Sequence, residues 1–185
     1  MTLKDKKIRI TVVGDGGIGK TSMLIAYKDK TFDDSQYIPT VFDVYSMTVP
    51  INGEDYTVIL SDTAGQEEFD KLRKFAYKNV DVFILCYSTT ERNSYENVRT
   101  QWNPEIKHSC PHAKIVLAGT KADDVQNTQV LENEGRKLAK TIKADDFIQN
   151  SAKTRYNIHE TFAKAIGVAL RSNNDSRKPE CCSVL

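Results

Sequence analysis

The segment Gly14-Asp15-Gly16-Gly17-Ile18-Gly19-Lys20-Thr21 constrains this chain more than any other. It satisfies GxxxxGK[ST] and stands between a β-branched run (Ile8, Ile10, Val12, Val13) and a helix-like stretch, Lys20 to Lys30, that carries Met23, Leu24 and Tyr27. Glycines here let successive backbone N–H groups turn inward around phosphate oxygens, while the helix start adds positive potential. Lys20 then reaches the outer phosphates, and the Thr21 hydroxyl can bind Mg²⁺. The phosphate set expected from this loop is Gly16, Gly17, Ile18, Gly19, Lys20, Thr21 and Ser22.

The rest of the chain supplies a sheet for that loop. Val41 to Val49 and Tyr56 to Leu60 read as strands around Asn52-Gly53, a dipeptide that tolerates positive φ, so one antiparallel hairpin is expected. Apolar runs at Val82 to Tyr87, Ile115 to Ala118 and Phe147 to Gln149 alternate with helix-like segments near 94 to 108, 129 to 142 and 158 to 171. The expected fold class is α/β, a mostly parallel sheet of about six strands with one antiparallel strand and helices on both faces. A chain of 185 residues with 39% hydrophobic content suits one such domain, placed at 1–171. From Ser172 the composition turns polar, and 172–185 is expected as a flexible tail with too little apolar surface to offset its ordering entropy.

Composition also excludes several classes. Lys and Arg total 26 against 25 Asp and Glu, so there is no basic excess of the kind a nucleic-acid binder uses to displace counterions. Cys86, Cys110, Cys181 and Cys182 are too few and unevenly spaced for a disulfide framework, and they form no CxxC pair for zinc. His108, His112 and His159 are too dispersed to suggest a metal. No stretch approaches the roughly 18 apolar residues of a membrane span, and Met1 to Arg9 leads into no signal-type apolar region, so synthesis in the cytosol is expected.

Two further clusters fall at strand ends, where ligands of open parallel sheets collect. Asp62-Thr63-Ala64-Gly65-Gln66 follows the run ending at Leu60. Asp62 is expected to hold the metal through water, Gly65 to bring its N–H to a terminal phosphate because no side chain obstructs it, and Gln66 to orient a water. Thr120-Lys121-Ala122-Asp123 and Ser151-Ala152-Lys153 follow the next two runs. An Asp123 carboxylate can accept from the two adjacent N–H donors of guanine, whereas adenine presents a lone pair there. The Lys121 stem can lie along the base and the Ala152 N–H can bond the guanine carbonyl.

With these motifs in place, residues 7 to 185 resemble the Ras superfamily of small guanine-nucleotide-binding proteins, and more finely the Rho family. Tyr37-Ile38-Pro39-Thr40-Val41-Phe42-Asp43 resembles its switch I, Asp62 to Leu72 its switch II, and Trp102-Asn103-Pro104-Glu105-Ile106-Lys107-His108 a further family stretch. The resemblance implies a switch that binds GTP and GDP with Mg²⁺, hydrolyses GTP to GDP and phosphate, and recruits effectors through Val41, Phe42 and Asp43. It implies that Thr40 binds Mg²⁺ by its hydroxyl and the γ-phosphate by its N–H. Phe32 would pack on the guanine edge, Tyr37 would close over the phosphates, Pro39 would line the nucleotide, and Gln66 would position the attacking water. Exchange factors, activating proteins, a dissociation inhibitor and Rho-type effectors are the implied partners of a monomer, with signalling to actin and the plasma membrane as the implied role. No arginine stands in the glycine loop or switch I, so an activating protein is expected to donate one.

The sequence departs from the Rho pattern at several places. Only ten residues, 124 to 133, separate Asp123 from the Glu134-Gly135 helix start, so the helix that Rho proteins insert there is absent. Ser61 stands in place of Trp and Val44 in place of Asn, which bears on exchange-factor choice. One residue more than usual lies between Phe32 and Thr40, which bears on the hold on guanine. Thr120 replaces the asparagine of the wider superfamily, as in other Rho-like members. Cys182-Ser183-Val184-Leu185 fits CaaX with geranylgeranyl on Cys182, and Cys181 is a candidate for a second, reversible acyl chain that would bring the protein to the cytoplasmic face of the plasma membrane. Two other readings remain open on the residues: a GTP-binding adaptor with little hydrolysis, should the switch I spacing misplace Thr40, and an ATP-using kinase, which Asp123 disfavours.

Overall fold

The structure is a computed structural model describing residues 6–32, 40, 42–65 and 69–174. Strand β1 (Lys7–Val13) leads through the glycine loop into α1 (Lys20–Lys28). Strands β2 (Phe42–Ile51) and β3 (Glu54–Thr63) form the hairpin, followed by α2 (Asp70–Phe75) and β4 (Val82–Ser88). Next come α3 (Arg92–Asn97), a π-helical turn (Val98–Trp102), α4 (Asn103–Ser109) and β5 (Lys114–Thr120). A 3₁₀ turn (Val125–Asn127), α5 (Glu132–Ile142), β6 (Asp146–Gln149) and α6 (Ile158–Asn174) complete the chain.

The sheet order is β2-β3-β1-β4-β5-β6, with β2 antiparallel to β3 and every other pairing parallel. The expected fold class holds. Alternation along β4 explains the layers: Val82, Ile84 and Cys86 face one core with Met23, Leu24 of α1 and Phe162, Ala165, Ala169 of α6, while Phe83, Leu85 and Tyr87 face Val98, Trp102, Ile106 and Leu138. All seven β4 residues are buried, as expected of a central strand covered on both sides. Asn52 and Gly53 take φ of 51° and 77°, the positive values the hairpin turn requires.

Several boundaries differ from the sequence reading, each for a local reason. The first helix stops at Lys28, because Lys30 turns into the left-handed region at φ 58°. The hairpin strands run further than their apolar cores, since backbone pairing continues from Phe42↔Thr63 to Ile51↔Glu54. Asp62 therefore lies within β3 and not beyond it. The helix expected at 94 to 108 is three pieces: Pro104, which has no N–H, falls at the start of α4, and a π turn with Asn103 N–H bonded to Val98 O absorbs the mismatch. The α2 helix, six residues with little apolar periodicity, had no sequence signal. The segment expected as a helix from 129 begins at Glu132, where Glu134 Oε2 accepts the Leu131 N–H. Between Asp123 and α5 there is a single 3₁₀ turn, so the inserted helix is absent as read. Helix α6 runs to Asn174, past the expected tail boundary at 172.

Candidate functional site

Four loops meet at the strand ends, and hydrogen bonds fix their spacing. The glycine loop turns through positive φ at Gly14, Gly17 and Gly19 (139°, 72° and 95°), so its N–H groups curl toward one point at the start of α1. Lys20 is buried, and its Nζ donates to Gly14 O at 2.8 Å and Asp15 O at 2.6 Å. Burial pulls its pKa below the usual lysine value, and the nearby Asp62 and Asp15 charges oppose that pull. An ammonium held by two carbonyls keeps one hydrogen for a phosphate oxygen, at a fixed position.

Beside it, three oxygen-bearing side chains converge. Thr21 Oγ1 donates to Asp62 Oδ2 at 2.6 Å, and Thr40 Oγ1 lies 2.7 Å from Thr21 Oγ1. Because the single Thr21 hydroxyl hydrogen goes to the carboxylate, the Thr40 hydroxyl donates to Thr21. Asp62 is wholly buried, and its Oδ1 has no hydrogen-bond partner. Burial raises its pKa, while the Thr21 hydrogen bond and the Lys20 charge lower it. A buried carboxylate oxygen left without a donor, beside two hydroxyls, is a set of hard oxygen ligands suited to a small divalent cation.

Gly65 closes the third side. A Cβ built on it would stand 2.2 Å from both Gly16 N and Asp15 C, so this backbone lies directly on the glycine loop and admits no other residue without displacement. Gln66, Tyr37, Pro39 and Val41 lie outside the described residues, as do Cys181 and Cys182. Phe42, Asp43 and Val44 are exposed along β2, an edge strand of the sheet among the described residues, with Val44 opposite Ser61.

The base loops are pinned to the phosphate loop. Thr120 Oγ1 donates to Ile18 O at 2.5 Å and also lies 3.1 Å from Tyr87 O, so threonine does the bridging that this position demands. Lys121, at φ 58°, sends Nζ to Gly17 O at 2.9 Å, which draws its stem across the mouth of the site. Ala122 N–H donates to Asn150 O, which ties the two strand-end loops together, and within the second loop Ser151 Oγ accepts the Thr154 N–H. Asp123 lines an open groove with Ala122, Thr154, Arg155 and Tyr156. Ala152 and Lys153 continue from it, and Phe32 stands exposed at the end of the α1 loop.

A family model described as the Ras family matches residues 9–171. The chain belongs to the Ras family. It is similar to the Ras-like GTP-binding protein RhoL of Drosophila melanogaster, at 40% identity over 184 residues, 98% of this chain and 96% of the relative. It is thus a Ras-superfamily small GTPase of Rho-like type.

In this Ras-family chain the sequence reading overlooked one group of residues against the glycine loop. The Asp15 carboxylate accepts from Trp102 Nε1 and Asn97 Nδ2, and Arg73 is buried against Trp102. Asn97 and Trp102 are five residues apart, a spacing with no meaning in an α-helix, so only the π turn makes them neighbours.

Proposed function

We propose that this Ras-family protein is a switch: it holds GTP or GDP with Mg²⁺, hydrolyses GTP to GDP and phosphate, and recruits Rho-type effectors only in the GTP form. The observation that carries the reading is the convergence of Thr21, Thr40 and Asp62 beside Lys20, with Gly65 seated on the glycine loop. Thr21, Thr40 and Asp62, the last directly or through water, would hold Mg²⁺, which when bound offsets triphosphate charge.

The chain's own residues supply the rest. Lys20 fixes the outer phosphates, and the Thr40 and Gly65 N–H groups meet the γ-phosphate. Gln66 orients the attacking water. Asp123 selects guanine, with the Lys121 stem along the base, Phe32 on its edge and the Ala152 N–H on its carbonyl. Loss of the γ-phosphate removes contacts of Thr40 and Gly65 at once, so two loops relax together and the face built on Phe42 and Asp43 changes. An adaptor without hydrolysis would follow from a misplaced Thr40, and its hydroxyl stands beside Thr21 despite the longer loop.

The sequence has no arginine in the glycine loop or switch I, and an activating protein that donates one would raise the rate by about 10³ to 10⁵. In the same reading Cys182 carries a geranylgeranyl group, the second membrane signal is an acyl chain on Cys181 or gives way to a dissociation inhibitor that masks the lipid, exchange factors load GTP, and the output is Rho-type signalling to actin at the plasma membrane. The test is to extract the nucleotide from purified protein and follow single-turnover phosphate release. GDP or GTP in the extract, with slow release that accelerates on adding a Rho-type activating domain, supports the reading. An extract without guanine nucleotide, or no release from loaded GTP with or without that domain, would refute it.

A further inference from the structure

Asp15 sits inside the glycine loop, yet its carboxylate is bound by a segment far along the chain. Oδ1 accepts the Trp102 indole N–H at 2.5 Å and Oδ2 accepts Asn97 Nδ2–H at 2.7 Å. The π turn, with its i to i+5 bonding, stacks these two donors on one side. The same indole meets a second group: the Arg73 guanidinium carbon lies 4.7 Å from the Trp102 ring centroid. That guanidinium is fully buried, is held by Glu105 through Nε at 3.0 Å and Nη2 at 3.2 Å, and donates from Nη1 to Ala64 O at 3.0 Å.

Ala64 precedes Gly65, and Gly65 lies on Asp15 and Gly16. The contacts therefore form a closed ring: glycine loop, Trp102, Arg73, the 64–65 backbone, and back to the glycine loop. We propose that Trp102 is a positioning residue for GTP hydrolysis, because its indole fixes the spacing between the glycine loop and the Gly65 backbone that must meet the γ-phosphate. This rests on the switch reading above. In that reading GDP, which has no γ-phosphate, makes no contact with Gly65, so a slackened ring should weaken GTP contacts while leaving the GDP contacts of the glycine loop in place. Burial of a large aromatic for packing alone would make no such distinction between nucleotides.

The test uses the full chain with Trp102→Phe, Asp15→Asn, Asn97→Asp and the double variant Asp15→Asn/Asn97→Asp. Single-turnover GTP hydrolysis, the affinities for GTPγS and GDP, and Tm are measured for each. Trp102→Phe keeps an aromatic face for Arg73 and loses the indole N–H. We expect it and Asp15→Asn each to lower hydrolysis and the GTPγS-to-GDP affinity ratio about tenfold, the scale of one hydrogen bond to a charged group, with GDP affinity held within about threefold. In the double variant an Asn carbonyl accepts the indole N–H and its amide donates to the new carboxylate, so most of the Asp15→Asn loss should be recovered, a coupling that independent sites do not show.

Wild-type values of both ratio and hydrolysis in the folded single variants would overturn the proposal. So would equal losses of GDP and GTPγS affinity in step with Tm, or a double variant with no recovery. Should Trp102→Phe fail to fold, the Asp15 and Asn97 variants carry the test. A wild-type protein that does not turn over GTP would remove the switch reading itself, which separates that failure from failure of the ring.

Discussion

The Thr40 hydroxyl lies 2.7 Å from the Thr21 hydroxyl, which in turn donates to Asp62 at 2.6 Å. Thr40 is thus tied to the start of α1 and to the end of β3 through one oxygen atom. If this contact sets the active face, Thr40→Ala should lose GTP-dependent binding of a Rho-type effector domain by at least about tenfold. Its GDP affinity should stay within about threefold. Effector titration and nucleotide displacement on the same preparations check both parts, and undiminished effector affinity would count against the account.

Lys20 is held by two loop carbonyls and aims what remains of its charge at the site. Lys20→Ala should weaken triphosphate binding by at least about tenfold, because a charged donor to phosphate is removed from a buried position. Equilibrium binding of GTPγS measures it.

Hydrolysis and binding should separate at two other positions. In the proposed switch, Gly16→Val would crowd the approach of a donated arginine, and Gln66→Leu would remove the group assigned to orient water. Both variants should retain GTP and lose most of the acceleration by a Rho-type activating domain, an effect worth about 10³ to 10⁵ in the intact protein. Phosphate release with and without that domain decides the matter, and wild-type stimulation of both variants would contradict it.

Glu134 closes the start of α5, where the inserted helix is missing, by accepting the Leu131 N–H and pairing with Arg92 Nη1 at 2.6 Å. The Arg92 hydrogen bond, then the Leu131 N–H, hold its carboxyl below the usual glutamate range. A carboxyl lowered on folding adds stability above its unfolded pKa and loses it as pH falls through the folded value. Glu134→Gln should therefore lower Tm at neutral pH by roughly 1–3 °C, the scale of an exposed ion pair, and the difference should vanish in acid. Thermal unfolding across that pH range checks the sign.

Much of this site was legible in the sequence because its chemistry is local. A glycine loop, Asp62 with Gly65, and two base loops each announce themselves within a few residues, and parallel-sheet topology brings strand ends together. The hairpin was legible from Asn52-Gly53 between two strand-like runs. The ring through Asp15, Trp102 and Arg73 was not, because it depends on a π turn created where Pro104 interrupts a helix, and hydrophobic periodicity carries no trace of that. The reach of β3 past Leu60 was hidden as well: Ser61, Asp62 and Thr63 are polar, and only pairing with β2 and β1 holds them in the strand.

The central claim is that the γ-phosphate holds two loops against the glycine loop. Hydrogen–deuterium uptake of the full-length protein, compared between its GDP form and its form with a non-hydrolysable GTP analogue, tests this most directly. The account predicts slower exchange in the analogue form for peptides spanning Thr40 and for those running from Ala64 to Phe75, with the β4 and β5 peptides unchanged. Identical uptake of those two regions in both forms would contradict it.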